Sequence, residues 1–123
     1  MAMKFNPVPA VATGGYIRFT NDGPWVHHNE THTSSGIRSV SIDDQGRLEV
    51  KHASPGPIIT MGADADETLV ARGVAFGCSG GGGTTRIQAA DKNGPLDLND
   101  PDDYKRVSGT YANVWVRWLH DVS

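Results

Sequence analysis

Residues 37–51 have the sequence IRSVSIDDQGRLEVK, in which apolar and polar side chains alternate on both sides of a turn. Val40 and Ile42 precede the turn, and Leu48 and Val50 follow it. Because successive side chains of a strand point to opposite faces, this period of two predicts two strands that each bury one face. The DDQG sequence between them supplies a glycine that can adopt a positive φ. The stretch therefore predicts a β-hairpin.

Several other short segments have the same strand character and are separated by turn residues. The chain has 15 Gly and 7 Pro among its 123 residues, and these residues cost about 1 and about 3 kcal/mol in a helix interior. Long helices are therefore disfavoured. About seven short strands predict an all-β domain, either an antiparallel β-sandwich or a jelly roll. The further predicted strands are residues 16–20, 58–61, 74–78, 84–89 and 111–120.

The segments outside these strands carry different signals. Residues 1–14 contain two prolines and mostly small side chains, which predicts an extended N-terminal arm and leaves 15–123 as a single domain. Residues 64–72 predict either one helical turn with Asp66 as its N-cap or a loop. Residues 91–106 are polar and rich in Asn, Asp and Pro, which predicts one long surface loop.

Composition limits the classes of partner. The net charge is −3 and no basic run is present, so we expect no nucleic-acid partner. Cys78 is the only cysteine, which excludes an intrachain disulfide. Residues 1–12 lack the apolar stretch of a signal peptide, and no run is long enough to span a membrane. We therefore expect a soluble protein without a membrane partner.

One local group resembles a metal site. His28, Glu30 and His32 would project from the same face of a strand, and histidine and carboxylate are ligands for Zn²⁺. However, same-face Cβ atoms of a flat strand are about 7 Å apart. The three side chains could share an ion only on a curved strand, or with one ligand from each subunit on a symmetry axis. The alternative, which the spacing favours, is an exposed polar segment, and we expect no cofactor.

Other candidate sites fit structural roles better than catalytic ones. The glycine run at 80–83 lacks the Lys of a phosphate-binding loop and fits a wide, flexible hairpin tip or backbones that pack closely at a symmetry axis. Cys78 lies on the apolar side of its strand, which predicts a buried, inert thiol. The acidic residues 97–103 predict a solvated loop more than a Ca²⁺ site. The alternative of a metal-dependent, cupin-like enzyme would require the histidines of residues 27–32 to meet His52 or His120 in space. We expect no enzymatic activity.

The tryptophans are candidates for contacts with other molecules. Trp115 and Trp118 lie on opposite faces of the last predicted strand, so one is expected in the core and the other in the core or at an interface. Trp25 is expected in the core or, alternatively, stacked against a sugar ring. The side chains expected at contacts between subunits are Phe5, Val8, Val11, Trp115 and Trp118.

Four stretches, residues 39–50, 66–73, 78–84 and 111–118, resemble small β-structured virion proteins of actinobacterial tailed phages, which include minor tail, fibre and head-decoration subunits. The resemblance implies a non-enzymatic structural subunit, made in the host cytoplasm and located in the virion. It also implies a symmetric oligomer, often a trimer, in contact with other virion proteins. The alternative is a carbohydrate- or receptor-binding module, in which Trp25 or Tyr16 would line a groove for a host-surface glycan.

Overall fold

The computed structural model describes residues 9–27, 36–109 and 111–123. These residues form nine strands and two short helices, and neither helix is long and apolar enough to cross a bilayer. The elements are β1 (Ala10–Thr20), β2 (Gly23–His27), β3 (Ile37–Ile42), β4 (Leu48–His52), β5 (Ile58–Ala65), α1 (Glu67–Ala71), β6 (Ala75–Gly81), β7 (Thr84–Asp91), β8 (Gly94–Pro95), α2 (Pro101–Tyr104) and β9 (Asn113–Asp121).

The strands form two antiparallel sheets. The first sheet has the order β2-β1-β9-β5, and the second has the order β3-β4-β7-β6 with β8 paired to β7. At one side of the domain β5 lies beside β6, and at the other side β2 lies beside β3. The predicted antiparallel β-sandwich is confirmed, and the predicted hairpin is the β3–β4 pair.

The core lies between the sheets and follows the alternation in the sequence. The inward positions of β4 and β7 are buried, and all are apolar except His52 and Thr85; those of β9 are buried from Val114 to His120. Phe19 of β1 stacks on Phe76 of β6 with ring centroids 5.9 Å apart. The largest fully buried apolar side chains are Trp118, Phe19, Ile17, Leu48, Leu69 and Ile87.

Both helices begin at an aspartate. Asp66 accepts a hydrogen bond from the Thr68 backbone N–H at 3.0 Å, so the first of the two predictions for residues 64–72 is confirmed as α1. The prediction of a single surface loop at 91–106 is wrong. This segment contains β8 and α2, and it buries Leu96 and Leu98. Asp100 caps α2, and proline at its first position fits a helix start.

The end of the predicted arm belongs to the sheet. Residues 10–14 form the first part of β1 and pair with residues 117–121 of β9. A Cβ atom at Gly14 would overlap the Val116 carbonyl oxygen, so glycine allows the close approach of these two strands. Residues 1–8 lie outside the described residues.

The glycine run at 80–83 forms a tight hairpin. Gly82 and Gly83 have φ values of 65° and 99°, and they alone connect β6 to β7. Two central residues with positive φ make a turn whose twist matches that of the flanking strands. Gly80 has a φ of 137°, and a Cβ atom there would overlap the Thr84 carbonyl oxygen. The run is therefore explained by a compact turn and a close backbone contact, and the wide hairpin tip is not formed.

We predict that Gly80 and Gly82 respond differently to substitution. Gly80→Ala should lower the free energy of unfolding by about 1–3 kcal/mol, because it adds both an unfavourable φ and a backbone clash. Gly82→Asn should change it by less than about 0.5 kcal/mol, because asparagine tolerates the left-handed region and the site is open. Urea unfolding of both variants provides the measurement, and equal midpoints would contradict the explanation.

Candidate functional site

The outer face of the first sheet carries a cluster of aromatic rings. Tyr16 on β1 lies directly opposite Trp115 on β9, and their ring centroids are 4.5 Å apart. On the other side of β1, Tyr16 lies opposite His27 of β2. Trp25 is 51% exposed, and its ring meets that of His27 edge to face at 6.0 Å. Tyr16, Trp25, His27 and Trp115 are called the aromatic face below.

A positive charge lies within the aromatic face. Arg18 is opposite Trp25 on the neighbouring strand and donates from Nε to the side-chain oxygen of Asn113 at 3.2 Å. Asn113 is buried and donates in turn to Asp66 at 3.0 Å. Arg18 also contacts the His27 ring nitrogen at 3.4 Å. In the described part of the chain, Arg18 takes part in no ion pair. The guanidinium is therefore fixed in place without a carboxylate partner.

A polar cleft adjoins Arg18. Its volume is about 300 Å³, and it is lined by Arg18, Thr20, Asn21 and Gly109. The Thr20 hydroxyl donates to the Gly23 carbonyl at 2.7 Å, which closes the β1–β2 turn. The Gly109 N–H donates to a β1 carbonyl oxygen at 3.1 Å, which holds the opposite wall. The volume is at the lower end of the range for small-ligand sites, about 300–1,000 Å³.

Exposed apolar side chains collect at the opposite end of the first sheet. Val11 lies opposite His120 of β9, and β5 begins beside the same residue. The Val122 N–H donates to the Pro9 carbonyl at 3.0 Å, which places these two residues side by side. Val11, Ile59 and Val122 are between 41% and 50% exposed and are called the end patch below. A groove of about 240 Å³ nearby is lined by residues that include Ala12, Thr60 and Leu119.

A buried polar network connects the two sheets. The Trp118 indole N–H donates to the Thr85 hydroxyl at 2.9 Å, and this hydroxyl lies 2.9 Å from Nε2 of His52. Nδ1 of His52 lies 2.9 Å from the Ala53 carbonyl, which can only accept. Nδ1 of His52 therefore carries a proton, and in the neutral ring, which burial favours by lowering the pKa of His52, Thr85 donates to Nε2. The His52 and Trp118 rings also stack at 4.2 Å.

This network corrects the prediction that Trp118 contacts a neighbouring subunit. Trp118 is 1% exposed and is a core residue, whereas Trp115 on the opposite face is half-buried in the aromatic face. Val11 is exposed, as a contact residue must be, and Trp25 is on the surface and not in the core. Phe5 and Val8 lie outside the described residues.

The structure does not test the predicted metal ligands. His28, Glu30 and His32 lie outside the described residues, and within residues 9–27, 36–109 and 111–123 no group of three or more His, Cys, Asp or Glu side chains could hold an ion. The His52 and His120 ring centroids are 6.3 Å apart. Both rings are hydrogen-bonded to protein groups, and the partners of His120 are Thr13 and the Gly56 carbonyl.

Cys78 fits the prediction of an unreactive thiol. It packs against the core from β6 and is half-buried. Burial raises the pKa of the Cys78 thiol above its ordinary value, which keeps the sulfur protonated at neutral pH. A protonated thiol is a poor nucleophile.

Comparison with known proteins finds no matching family model, no matching curated protein and no matching solved structure. The aromatic face with its cleft and the end patch are therefore the basis of the functional proposals below.

We predict that His52 makes the fold sensitive to acid. Burial lowers the pKa of His52 below its usual value near 6.5. At a pH between the lowered pKa of His52 in the folded protein and its usual pKa in the unfolded chain, the unfolded chain binds the proton more readily than the folded protein does. The contribution of His52 is therefore fully present above about pH 6.5, and it decreases as the pH falls towards the folded pKa.

The measurement is the melting temperature at about pH 7.5 and about pH 5 for the wild type and His52→Gln. Glutamine does not titrate, so the variant should lose part of the pH dependence even if it is less stable overall. If the melting temperature changed by the same amount between the two pH values in both proteins, His52 would not contribute to the pH dependence of stability.

Proposed function

We propose that this protein is a non-enzymatic structural subunit of a phage particle, in the tail, in a fibre or on the capsid, and that it assembles as a symmetric oligomer. The placement in a phage particle rests on the resemblance of residues 39–50, 66–73, 78–84 and 111–118 to small virion proteins. Assembly is supported by one observation of the fold, the end patch.

The end patch has the properties of a contact surface. Its three apolar side chains lie on or beside β1, β5 and β9, which are hydrogen-bonded neighbours in one sheet. Exposed apolar patches often mark sites of association, and these three half-exposed side chains lie near the same end of one sheet. Full burial of a valine or isoleucine stabilises by about 1.5–3 kcal/mol relative to exposure. Covering the patch would therefore favour association.

In the proposed assembly, residues 1–8 of one copy contact the end patch of its neighbour. This segment joins the fold at Pro9, which is hydrogen-bonded to Val122 of the patch. Its proline, Pro7, favours extended backbone, and Phe5 and Val8 supply apolar side chains. We expect a trimer, as the resemblance implies.

The assembly is tested by measuring the mass in solution with size exclusion and light scattering. Val11→Asp should weaken association by about tenfold or more, because it places a charge in the contact. Deletion of residues 1–8 should lower the mass in the same way. Val70→Asp is the matched control, since Val70 is 62% exposed on α1, outside the patch.

Two outcomes would contradict the proposed assembly. One is a wild-type protein that stays monomeric at all concentrations measured. The other is an oligomer whose mass is unchanged by Val11→Asp and by the deletion. Thermal melts of each variant establish that a lower mass does not result from unfolding.

A further inference from the structure

We propose that the cleft beside Arg18, together with the exposed ring of Trp25, binds a saccharide that carries a carboxylate or phosphate group. In this site the sugar ring stacks on Trp25 and the acidic group pairs with Arg18. The site lies on the aromatic face, and its binding does not depend on assembly through the end patch.

Trp25 provides a surface for a sugar ring. Half of this large apolar side chain is exposed on a β-sheet face, and its edge-to-face contact with His27 fixes the plane of the indole. A pyranose ring presents a face of C–H groups that can cover an aromatic surface, while its hydroxyl groups point outward to polar partners. Tryptophan combines such an apolar body with a rigid shape, so little conformational entropy is lost on binding.

Arg18 provides the charge that selects an acidic ligand. Its guanidinium is held by Asn113, which is itself held by Asp66, so its orientation is set before a ligand arrives. Guanidinium groups form strong hydrogen bonds to carboxylates and phosphates. Since the ion pairs of the described residues do not include Arg18, an acidic ligand would not have to displace a carboxylate. Such preorganisation reduces the cost of binding.

The cleft provides space and hydrogen-bonding groups for the rest of the sugar. Trp25 lies on one side of Arg18, across the β1–β2 pair, and the cleft extends from Arg18 towards Gly109. Asn21 lines the cleft and is exposed. An amide can both donate to and accept from a hydroxyl group. Arg18 therefore neighbours both the ring of Trp25 and the cleft that Asn21 lines, which matches the apolar face, the acidic group and the hydroxyl groups of an acidic sugar.

The second sheet has a larger cationic cleft that provides a direct comparison. It has a volume of about 500 Å³, and its charged lining groups are Arg38 and Lys51. Its lining includes serine, threonine and glycine residues and the buried His52, but no exposed aromatic ring. A cation alone would attract acidic sugars to either cleft. Only the cleft at Arg18 adds a surface for stacking.

The experiment uses the full chain on an array of defined glycans that pairs acidic members with neutral ones of the same backbone. We expect binding to acidic members, which weakens when the salt is raised from about 50 mM to about 0.5 M. Trp25→Ala, Asn21→Ala and Arg18→Met should each reduce the affinity for the strongest acidic glycan, by about tenfold or more for Trp25 and Arg18. Arg38→Met and Val70→Ala are the controls and should stay within about twofold of the wild type.

Each other outcome would overturn the proposal. Absence of binding to every acidic glycan excludes the ligand class, and equal binding of neutral glycans excludes the role of Arg18. Loss of binding in Arg38→Met places the site on the second sheet. A lower mass of Trp25→Ala in light scattering would show that a second copy occupies this face. Because Val11→Asp should leave glycan binding unchanged, failure of the assembly and failure of this site are distinguishable.

Discussion

The contact of Trp118 with Thr85 and His52 determines how the two sheets meet. It contains the largest buried ring in the domain and joins β9 of the first sheet to β4 and β7 of the second. Every polar atom in it has a partner, and the directions of the hydrogen bonds are fixed because the Ala53 carbonyl can only accept. A satisfied polar network in a low-dielectric core favours one arrangement, since a shift of either sheet would leave a buried group unpaired.

Because the network fixes β9, it also fixes the outer surface. β9 pairs with β1 on one side and β5 on the other, and its residues alternate between the faces of the sheet. Even-numbered positions from Val114 to His120 point into the core, whereas Trp115, Arg117 and Leu119 point outward. Trp118 in the core therefore requires Trp115 on the aromatic face. A shift of one residue would exchange the two faces along the whole strand.

Much of the fold could be predicted from the alternation of apolar and polar residues and from the turn and cap residues, because these signals are local. The alternation around Val40 and Leu48 and the cap at Asp66 each depend on residues within a few positions. The placement of the tryptophans did not follow, since a period of two separates Trp115 from Trp118 without showing which one is inward. Arg18 and Asn113 are 95 positions apart and meet only through the β1–β9 register. The candidate site was therefore anticipated only at its aromatic residues Trp25 and Tyr16, and the short apolar pattern of Leu96 and Leu98 was too weak to reveal their burial.

The two candidate surfaces are compatible in one subunit because β1 separates them. Val11 and Arg18 are seven positions apart on this strand, which is about 23 Å at the rise of a β-strand. The surfaces also differ in chemistry: the end patch is apolar, whereas the cleft combines a cation, an amide and an exposed indole. On a protein with a net charge of −3, the Arg18 guanidinium forms no ion pair with a described residue, and its hydrogen bonds to Asn113 and His27 keep it at one point of the sheet. A neighbour that covers the end patch would thus leave the cleft accessible, because the same strand that carries both surfaces also keeps them apart.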